Sequence, residues 1–207
     1  MAFTFFFRDK LVLDMIVEHA LPLLKTRNYI RIWDAGCAMG PEPYSIAIML
    51  RENMGKFLFR NVRIDATDID ECDFGKIIRE GVYPDEQIKR IPVEIRGKYF
   101  TPIGESGEFR LSEEIRQAVT FQRHDLLTLK PIRSSLGLIV CKNVLLHFKE
   151  EQRVEVLKMF YSVLDENGFL AMEQTQKMPP EVSGLFEPVV FNAQLFKKKS
   201  EAAIKTA

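Results

Sequence analysis

The chain has 207 residues, 46% of them hydrophobic and 28% charged, which is typical of a single globular domain that buries its own core. Its 29 basic residues balance 29 acidic residues, so the chain lacks an overall positive field that would hold a nucleic acid. Three widely spaced cysteines, Cys37, Cys72 and Cys141, fit neither a disulfide framework nor a zinc site with paired ligands. Composition therefore predicts no metal centre and no nucleic-acid partner.

The apolar stretch at residues 3–7 is the strongest candidate for a targeting segment. It is shorter than the core of a signal peptide, and Arg8 and Asp9 follow it at once. No other stretch of the sequence is apolar for long enough to span a bilayer. Together with the unpaired cysteines, these features predict a cytoplasmic protein with no direct membrane insertion.

Predicted strands and helices alternate along most of the chain. Apolar spacing predicts a helix over 10–24, a strand over 29–33, a helix over 43–53, a strand over 61–67, a helix over 71–80, a strand over 136–141, a helix over 150–164 and strands over 169–172 and 189–195. Such alternation is typical of an α/β domain with a doubly wound, mostly parallel sheet, here covering residues 1–207. Ligands of these sheets bind at the carboxyl ends of the strands.

The alternation of strands and helices gives way to a different pattern between Tyr83 and Arg123. Short extended runs stand at 99–103, 109–111 and 119–123, and Gly104 and Gly107 separate the first two of them. We interpret residues 99–123 as a small β-rich insertion.

A glycine-containing turn, Asp34-Ala35-Gly36-Cys37-Ala38-Met39-Gly40, follows the first predicted strand. Glycines allow a tight turn and let a ligand approach the backbone, while the N–H groups of the next helix point at the ligand. By itself this spacing is also that of an ordinary tight turn. The second predicted strand ends at Asp68, and an acid at that place accepts hydrogen bonds from ribose hydroxyls. Asp68 or Asp70 could instead cap the following helix.

The spacing of the turn distinguishes between two nucleotide-type ligands. A nicotinamide dinucleotide needs Gly-x-Gly-x-x-Gly, whereas Ala38 stands two positions after Gly36. The turn also opens with an acid, Asp34, which suits the cationic methionine end of S-adenosylmethionine better than a pyrophosphate. The sequence therefore favours S-adenosylmethionine as the cofactor and S-adenosylhomocysteine as the product.

Five short motifs stand in a fixed order along the chain. They are Thr-Phe-Phe-Phe-Arg at 4–8, Trp-Asp-Ala-Gly-Cys-Ala-Met-Gly-Pro-Glu-Pro-Tyr-Ser at 33–45, Ala-Thr-Asp-Ile-Asp at 66–70, Gly-Val-Tyr at 81–83 and Cys-Lys-Asn-Val-Leu-Leu-His-Phe at 141–148. In this order they resemble the landmarks of the CheR family of chemotaxis receptor methyltransferases. The family carries an N-terminal helical domain before the first motif, so the resemblance implies the catalytic domain alone, with a Rossmann-like class I methyltransferase fold.

The resemblance implies transfer of a methyl group from S-adenosylmethionine to glutamate side chains on the cytoplasmic helical region of a receptor. It places Thr4 and Arg8 near the methionine end of the cofactor and Glu42 in contact with it. It also identifies the insertion with a small β-subdomain that docks on a receptor tail in some members. We predict cofactor contacts from Thr4, Arg8, Asp34, Gly36, Cys37, Gly40, Glu42, Asp68, Ile69, Asp125, Leu126, Lys142 and Asn143.

Two residues are candidates for a role in the transfer itself. Arg8 could orient an acceptor carboxylate through paired hydrogen bonds, although it could also be a solvated charge. His147 stands where the family has an active-site tyrosine, and it could position the acceptor or serve as a structural group. The chain also has Pro41, Asp125 and Lys142 where the family has Glu, Asn and Arg.

Two other functions stay open from the sequence. One is methyl transfer to a different acceptor, and the other is a divergent module that binds the cofactor or a partner without catalysis.

Overall fold

Ten strands occur in the computed structural model, which describes residues 4–69, 72–200, 202 and 204. In chain order they are β1 (Ile30–Ala35), β2 (Val62–Asp68), β3 (Val82–Pro84), β4 (Phe100–Ile103), β5 (Glu108–Leu111), β6 (Val119–Arg123), β7 (Leu136–Cys141), β8 (Leu164–Met172), β9 (Phe186–Pro188) and β10 (Leu195–Lys198). Seven strands form one sheet in the order β6-β2-β1-β7-β8-β10-β9, and three form a second sheet in the order β3-β5-β4.

Nine α-helices accompany these strands in the described residues. They are α1 (Lys10–Met15), α2 (Leu21–Leu24), α3 (Pro41–Phe59), α4 (Phe74–Glu80), α5 (Asp85–Ile88), α6 (Val93–Tyr99), α7 (Glu113–Arg116), α8 (Glu150–Val163) and α9 (Pro180–Ser183). A π-helical segment, Ile16–Ala20, joins α1 to α2, so the helical stretch predicted over 10–24 is confirmed. Two 3₁₀ turns, Leu126–Thr128 and Leu145–His147, follow β6 and β7.

The seven-stranded sheet is mostly parallel and is covered on both faces. Strands β6, β2, β1, β7 and β8 pair in parallel, whereas β10 runs antiparallel to β8 and β9. Alternate side chains of β1 enter two separate cores, with Ile32 in one and Trp33 in the other. Every residue of β7 is buried, as expected for a strand with helices on either side. The predicted doubly wound α/β fold is confirmed.

The small second sheet differs from the predicted β-rich insertion at 99–123. It contains β3, which precedes the predicted segment, and it lacks β6, which pairs in parallel with β2 at the edge of the main sheet. The short alternating runs predicted strands correctly, but alternation alone carries no information on which sheet a strand joins. Pairing over long separations in the sequence decides that membership.

The predicted strand at 189–195 is wrong. Residues 189–194 form a loop between β9 and β10, and Val189 donates its backbone N–H to the carbonyl of Leu195. The apolar side chains of Val189 and Val190, which suggested a strand, pack against a core from this loop. The helix predicted over 71–80 begins at Phe74, and residue 71 lies outside the described residues. Within those residues no helix combines the length and apolar character needed to cross a membrane.

The segment before α1 fastens the small sheet to the main domain. Phe6 is buried and makes edge-to-face contacts with Tyr83 of β3 at 5.0 Å and Phe100 of β4 at 5.4 Å between ring centroids. Phe7 donates its backbone N–H to the hydroxyl of Ser45 on α3 at 2.8 Å. These contacts lead directly into Arg8 and fix the position of that residue's backbone.

Candidate functional site

A cavity of about 750 Å³ opens at the carboxyl edge of the parallel strands. Its position is the one expected for a ligand site in a doubly wound sheet. The residues that line it come from the segment before α1 and from the loops after β1, β2, β6 and β7. They are Thr4, Arg8, Gly36, Ala38, Glu42, Thr67, Asp68, Ile69, His124, Asp125, Leu126, Leu127, Lys142, Asn143, Val144, Leu146, His147 and Phe148.

The glycine turn passes so close to its neighbours that Gly36 cannot carry a side chain. Its φ is 108°, and an added Cβ would lie 2.0 Å from Cγ2 of Val144. The N–H groups of Gly36 and Cys37 donate to the carbonyl of Thr67 at 2.7 and 3.0 Å, which holds the turn against β2. Gly40, with φ of 100°, immediately precedes α3. The turn therefore presents backbone to the cavity, as a bound nucleoside requires.

Asp68 joins two of the loops that line the cavity. Its Oδ2 accepts a hydrogen bond from Ala38 N at 2.9 Å, and its Oδ1 accepts one from Ile69 N at 2.8 Å. Each carboxylate oxygen still has a lone pair for a ligand hydroxyl. Asp68 does not cap the next helix, because that role belongs to Asp73, whose side chain accepts from Lys76 N. Asp70, the other candidate cap, lies outside the described residues.

A buried lysine stands at the centre of an acidic cluster at one end of the cavity. Lys142 Nζ lies 2.8 Å from Glu42 Oε2 and 3.5 Å from Asp9 Oδ2, and it donates to the carbonyl of Arg8 at 3.2 Å. The lysine side chain is fully buried. Burial acts to lower the pKa of Lys142, but Glu42, Asp9 and Asp34 outweigh it and raise that pKa, so the ammonium stays charged.

Asp34 lies behind Glu42 at the end of β1 and is 0% exposed. With both carboxyls ionised, neither Asp34 oxygen has a hydrogen-bond donor among the described residues. Burial, then repulsion by Glu42 and a hydrogen bond to it, raise the pKa of Asp34 well above its ordinary value. Lys142 acts in the opposite direction but is already paired with Glu42.

Glu173, which follows β8, is a second fully buried acid, and the sequence did not identify it as a site residue. Its Oε2 accepts from Asn143 N at 3.1 Å, and its Oε1 has no partner within the described part of the chain. Asn143 has a φ of 60°, which a side-chain-bearing residue rarely adopts, and the Glu173 carboxylate stabilises that backbone. Burial raises the pKa of Glu173. The usable signal was its position as the first polar residue after a strand.

The other end of the cavity is more apolar and contains Asp125 and Leu126, two of the predicted cofactor contacts. Asp125 accepts from Leu127 N at 2.9 Å and so caps the 3₁₀ turn that carries Leu126. Exposed Ile69 and Leu127 line the same region. His124, which the sequence did not single out, lies edge-on to Trp33, and burial lowers its pKa, so its imidazole is neutral at pH 7.

Three predicted cofactor residues do not line the cavity. Asp34 is covered by Glu42, Cys37 is 1% exposed with its side chain in a core, and Gly40 lies at the start of α3. Burial raises the pKa of the Cys37 thiol, so it is not a nucleophile. They were predicted from motif positions, and the motif does not tell which residues of the turn face inward.

Both residues predicted to act in the transfer lie in the cavity wall. Arg8 is partly buried, with its guanidinium 5.9 Å from the ring centroid of Phe5. His147 is exposed at the rim, and its backbone N–H donates to the carbonyl of Val144 at 3.0 Å. They lie on separate segments, one before α1 and one after β7.

Two solved methyltransferases share this fold. A methyltransferase from Geobacter sulfurreducens has a TM-score of 0.51 at 12% identity, covering 90% of this chain and 80% of that protein. Magnesium protoporphyrin IX methyltransferase from Synechocystis PCC 6803, solved with bound SAM, has a TM-score of 0.50 at 15% identity, covering 92% and 79%. At such identities the likeness shows the fold alone, which is that of the class I methyltransferases.

Sequence comparison narrows this class to one family. The family model described as "CheR methyltransferase, SAM binding domain" matches residues 2–194 of this chain. A chemotaxis protein methyltransferase of Borreliella burgdorferi is 33% identical over 182 residues, which cover 84% of this chain and 63% of that protein. Chemotaxis protein methyltransferase 2 of Vibrio cholerae is 30% identical over 188 residues, covering 88% and 64%. The chain belongs to the CheR family and spans just under two thirds of these relatives, and the predicted family and cofactor are confirmed.

Proposed function

We propose that the chain, as one methyltransferase domain, transfers a methyl group from S-adenosylmethionine to the γ-carboxylate of glutamate side chains on a protein. The acceptor we propose is the cytoplasmic helical region of a chemotaxis-type receptor, so the protein would act in the cytoplasm. The observation that carries this proposal is a single cavity with a buried acidic end at Glu42 and an exposed rim at His147. Membership of the CheR family supports the same reaction.

The residues of the cavity fit S-adenosylmethionine in one orientation. Gly36 leaves room for a nucleoside against the turn, and Asp68 has free lone pairs for the ribose hydroxyls. Glu42 has an oxygen without a partner in the described chain and faces the cavity, so it suits the ammonium of the methionine part. Asp125 and Leu126 would then flank the adenine.

The chemistry requires positioning more than proton transfer. S-adenosylmethionine supplies an activated methyl group, and an acceptor carboxylate is already a nucleophile at neutral pH. Arg8 would hold that carboxylate by paired hydrogen bonds, while the apolar rim residues Leu146 and Phe148 would exclude water around it. His147 would position the acceptor from the opposite side of the opening.

The proposal is tested by incubating the protein with tritiated S-adenosylmethionine and a receptor cytoplasmic fragment. We expect a methyl label that alkali releases, because carboxyl esters hydrolyse in base and methylated nitrogen does not. Arg8→Ala should lower the rate far more than it changes cofactor affinity, since an orienting contact acts only when the acceptor is present. Lys10→Ala, which removes an exposed cation paired with Asp14, is the matched control and should keep the rate.

Variants at His147 test whether this position takes part in the transfer. We expect His147→Tyr to form ester at least as fast as the original chain, and His147→Phe to be slower because it lacks a hydrogen-bond donor. Cofactor binding without ester on any receptor fragment, in all three proteins, would favour another acceptor or a module without catalysis.

A further inference from the structure

The acidic end of the cavity holds more carboxyl groups than cations. Asp9, Asp34 and Glu42 lie around Lys142, and Glu173 lies beside Glu42 and Asp9. Lys142 already has ion pairs with Glu42 and Asp9. A fully ionised cluster would thus leave Asp34 as a buried charge with no donor, which is strongly unfavourable.

A shared proton resolves this conflict. When one carboxyl of the Asp34 and Glu42 pair is protonated, it donates to the other, and both the repulsion and the missing donor are removed. Charged groups face Asp34 from every neighbouring element: Glu42 on α3, Asp68 at the end of β2 and Lys142 after β7. Glu42 and Asp68 repel a negative charge on Asp34, whereas Lys142 attracts it. Burial first and Glu42 next raise the pKa of Asp34, in agreement with this geometry.

We propose that Asp34 and Glu42 share a proton before the cofactor binds, and that entry of the cofactor's ammonium expels this proton. Glu42 lines the cavity and Asp34 lies directly behind it, so an ammonium on Glu42 adds a positive charge on the open side. That charge provides the donor that Glu42 Oε1 lacks and stabilises the ionised pair. The inference rests on the cofactor orientation proposed above, and it makes Asp34 a positioning residue behind the wall.

The direction in which pH changes the affinity for the ligand follows from mass action. If binding releases a proton, affinity for the cofactor product rises with pH over the range in which the pair is protonated. The comparison requires that the ligand's ammonium stays charged. Near pH 6.5 it does, because α-amino groups titrate at about 7.7–8.0.

Calorimetry measures the released proton directly. S-adenosylhomocysteine is titrated at about pH 6.5 in two buffers whose ionisation enthalpies differ, and the difference in apparent binding enthalpy gives the protons exchanged. We expect release on binding of S-adenosylhomocysteine. We expect none on binding of 5′-methylthioadenosine, which has the same nucleoside but lacks the α-amino and carboxyl groups of the amino-acid part.

Two aspartate variants locate the proton. Asp34→Asn should bind with no proton release and with an affinity that no longer rises with pH, because the amide donates to Glu42 permanently. Asp65→Asn is the matched control, since Asp65 is a partly buried acid of β2 that pairs with Arg133 away from the cavity. The Asp65→Asn protein should keep both the affinity for S-adenosylhomocysteine and the release of a proton on binding.

Each outcome of this experiment either supports or contradicts a proton shared by Asp34 and Glu42. Binding of S-adenosylhomocysteine to the original chain without proton release contradicts the shared proton, as does equal release with 5′-methylthioadenosine. These two measurements need no variant, so they stand even if Asp34→Asn fails to fold. Undiminished release in a folded Asp34→Asn protein would assign the proton to another group. Failure of S-adenosylhomocysteine to bind at all would instead overturn the cofactor orientation, and the inference with it.

Discussion

Asp68 Oδ2 accepts a hydrogen bond from Ala38 N at 2.9 Å, so the acid at the end of β2 holds the glycine turn after β1 in place. The same carboxylate faces the cavity. One side chain therefore shapes the turn and presents acceptors to a ligand.

Replacing Asp68 should separate cofactor binding from folding. We expect Asp68→Ala to weaken S-adenosylhomocysteine binding more than tenfold, about 1.4 kcal/mol or more, because a buried hydroxyl pair loses its acceptor. Titration calorimetry measures the affinity. Asp73→Ala is the control, because it removes the cap of α4 and should cost about 1 kcal/mol of stability while leaving the affinity unchanged. Equal affinity in the Asp68 variant would remove this residue from the site.

The glycine turn should not tolerate a side chain at Gly36. We expect Gly36→Ala to destabilise the fold by about 2 kcal/mol or more, because a positive φ and a clash with Val144 both oppose a Cβ. Urea denaturation measures this change. Gly184→Ala, where an added Cβ meets nothing within 4 Å, should alter stability by no more than about 0.5 kcal/mol. Similar stabilities for the two variants would contradict the close packing of the turn.

Lys142 should be more important for folding than its single charge suggests. We expect Lys142→Met to lower the free energy of unfolding by about 3 kcal/mol or more, since Glu42 would remain buried without its cation. Lys142→Arg keeps the charge and should retain most of the stability. The two variants are compared by urea denaturation at neutral pH. A Met variant as stable as the Arg variant would show that the acids do not need the cation.

The stability of the protein should depend on pH through Asp34. Its pKa is raised in the fold, so the folded chain binds more protons at this residue than the unfolded chain. This contribution to stability is therefore greatest below the unfolded pKa and is lost as pH rises through the folded pKa. We expect Asp34→Asn to be more stable than the original chain by a margin that increases between pH 5 and pH 8, measured by urea denaturation. A constant margin would contradict the raised pKa.

The parts of the site that the sequence predicted are those that depend on local order along the chain. Gly36 follows β1 and Asp68 ends β2, and parallel strands bring such residues to one edge, so spacing alone places them together. Glu173 and His124 also follow strands, but no motif distinguishes them from solvated loop residues. The burial of Asp34 behind Glu42 depends on how α3 packs onto the sheet. That packing cannot be predicted from the order of residues along the chain.

Sheet membership was unpredictable for a similar reason. Strand β6 alternates like the strands of the small sheet, yet it pairs with β2, which lies more than 50 residues earlier in the chain. Val119 is buried, whereas Thr120, Gln122 and Arg123 are exposed. Only its neighbours in space identify its sheet.

Phe6 gives the small sheet and the cavity a common boundary. Its ring fills the space between Tyr83 and Phe100, and Arg8, two residues further on, lines the cavity. The hydroxyl of Tyr83 also donates to the carbonyl of Met39 in the glycine turn at 3.0 Å. A displacement of the small sheet would therefore reach the cavity by two routes, through the backbone before α1 and through the turn after β1. A substitution at Tyr83 or Phe100 would accordingly disturb the cavity as well as the small sheet.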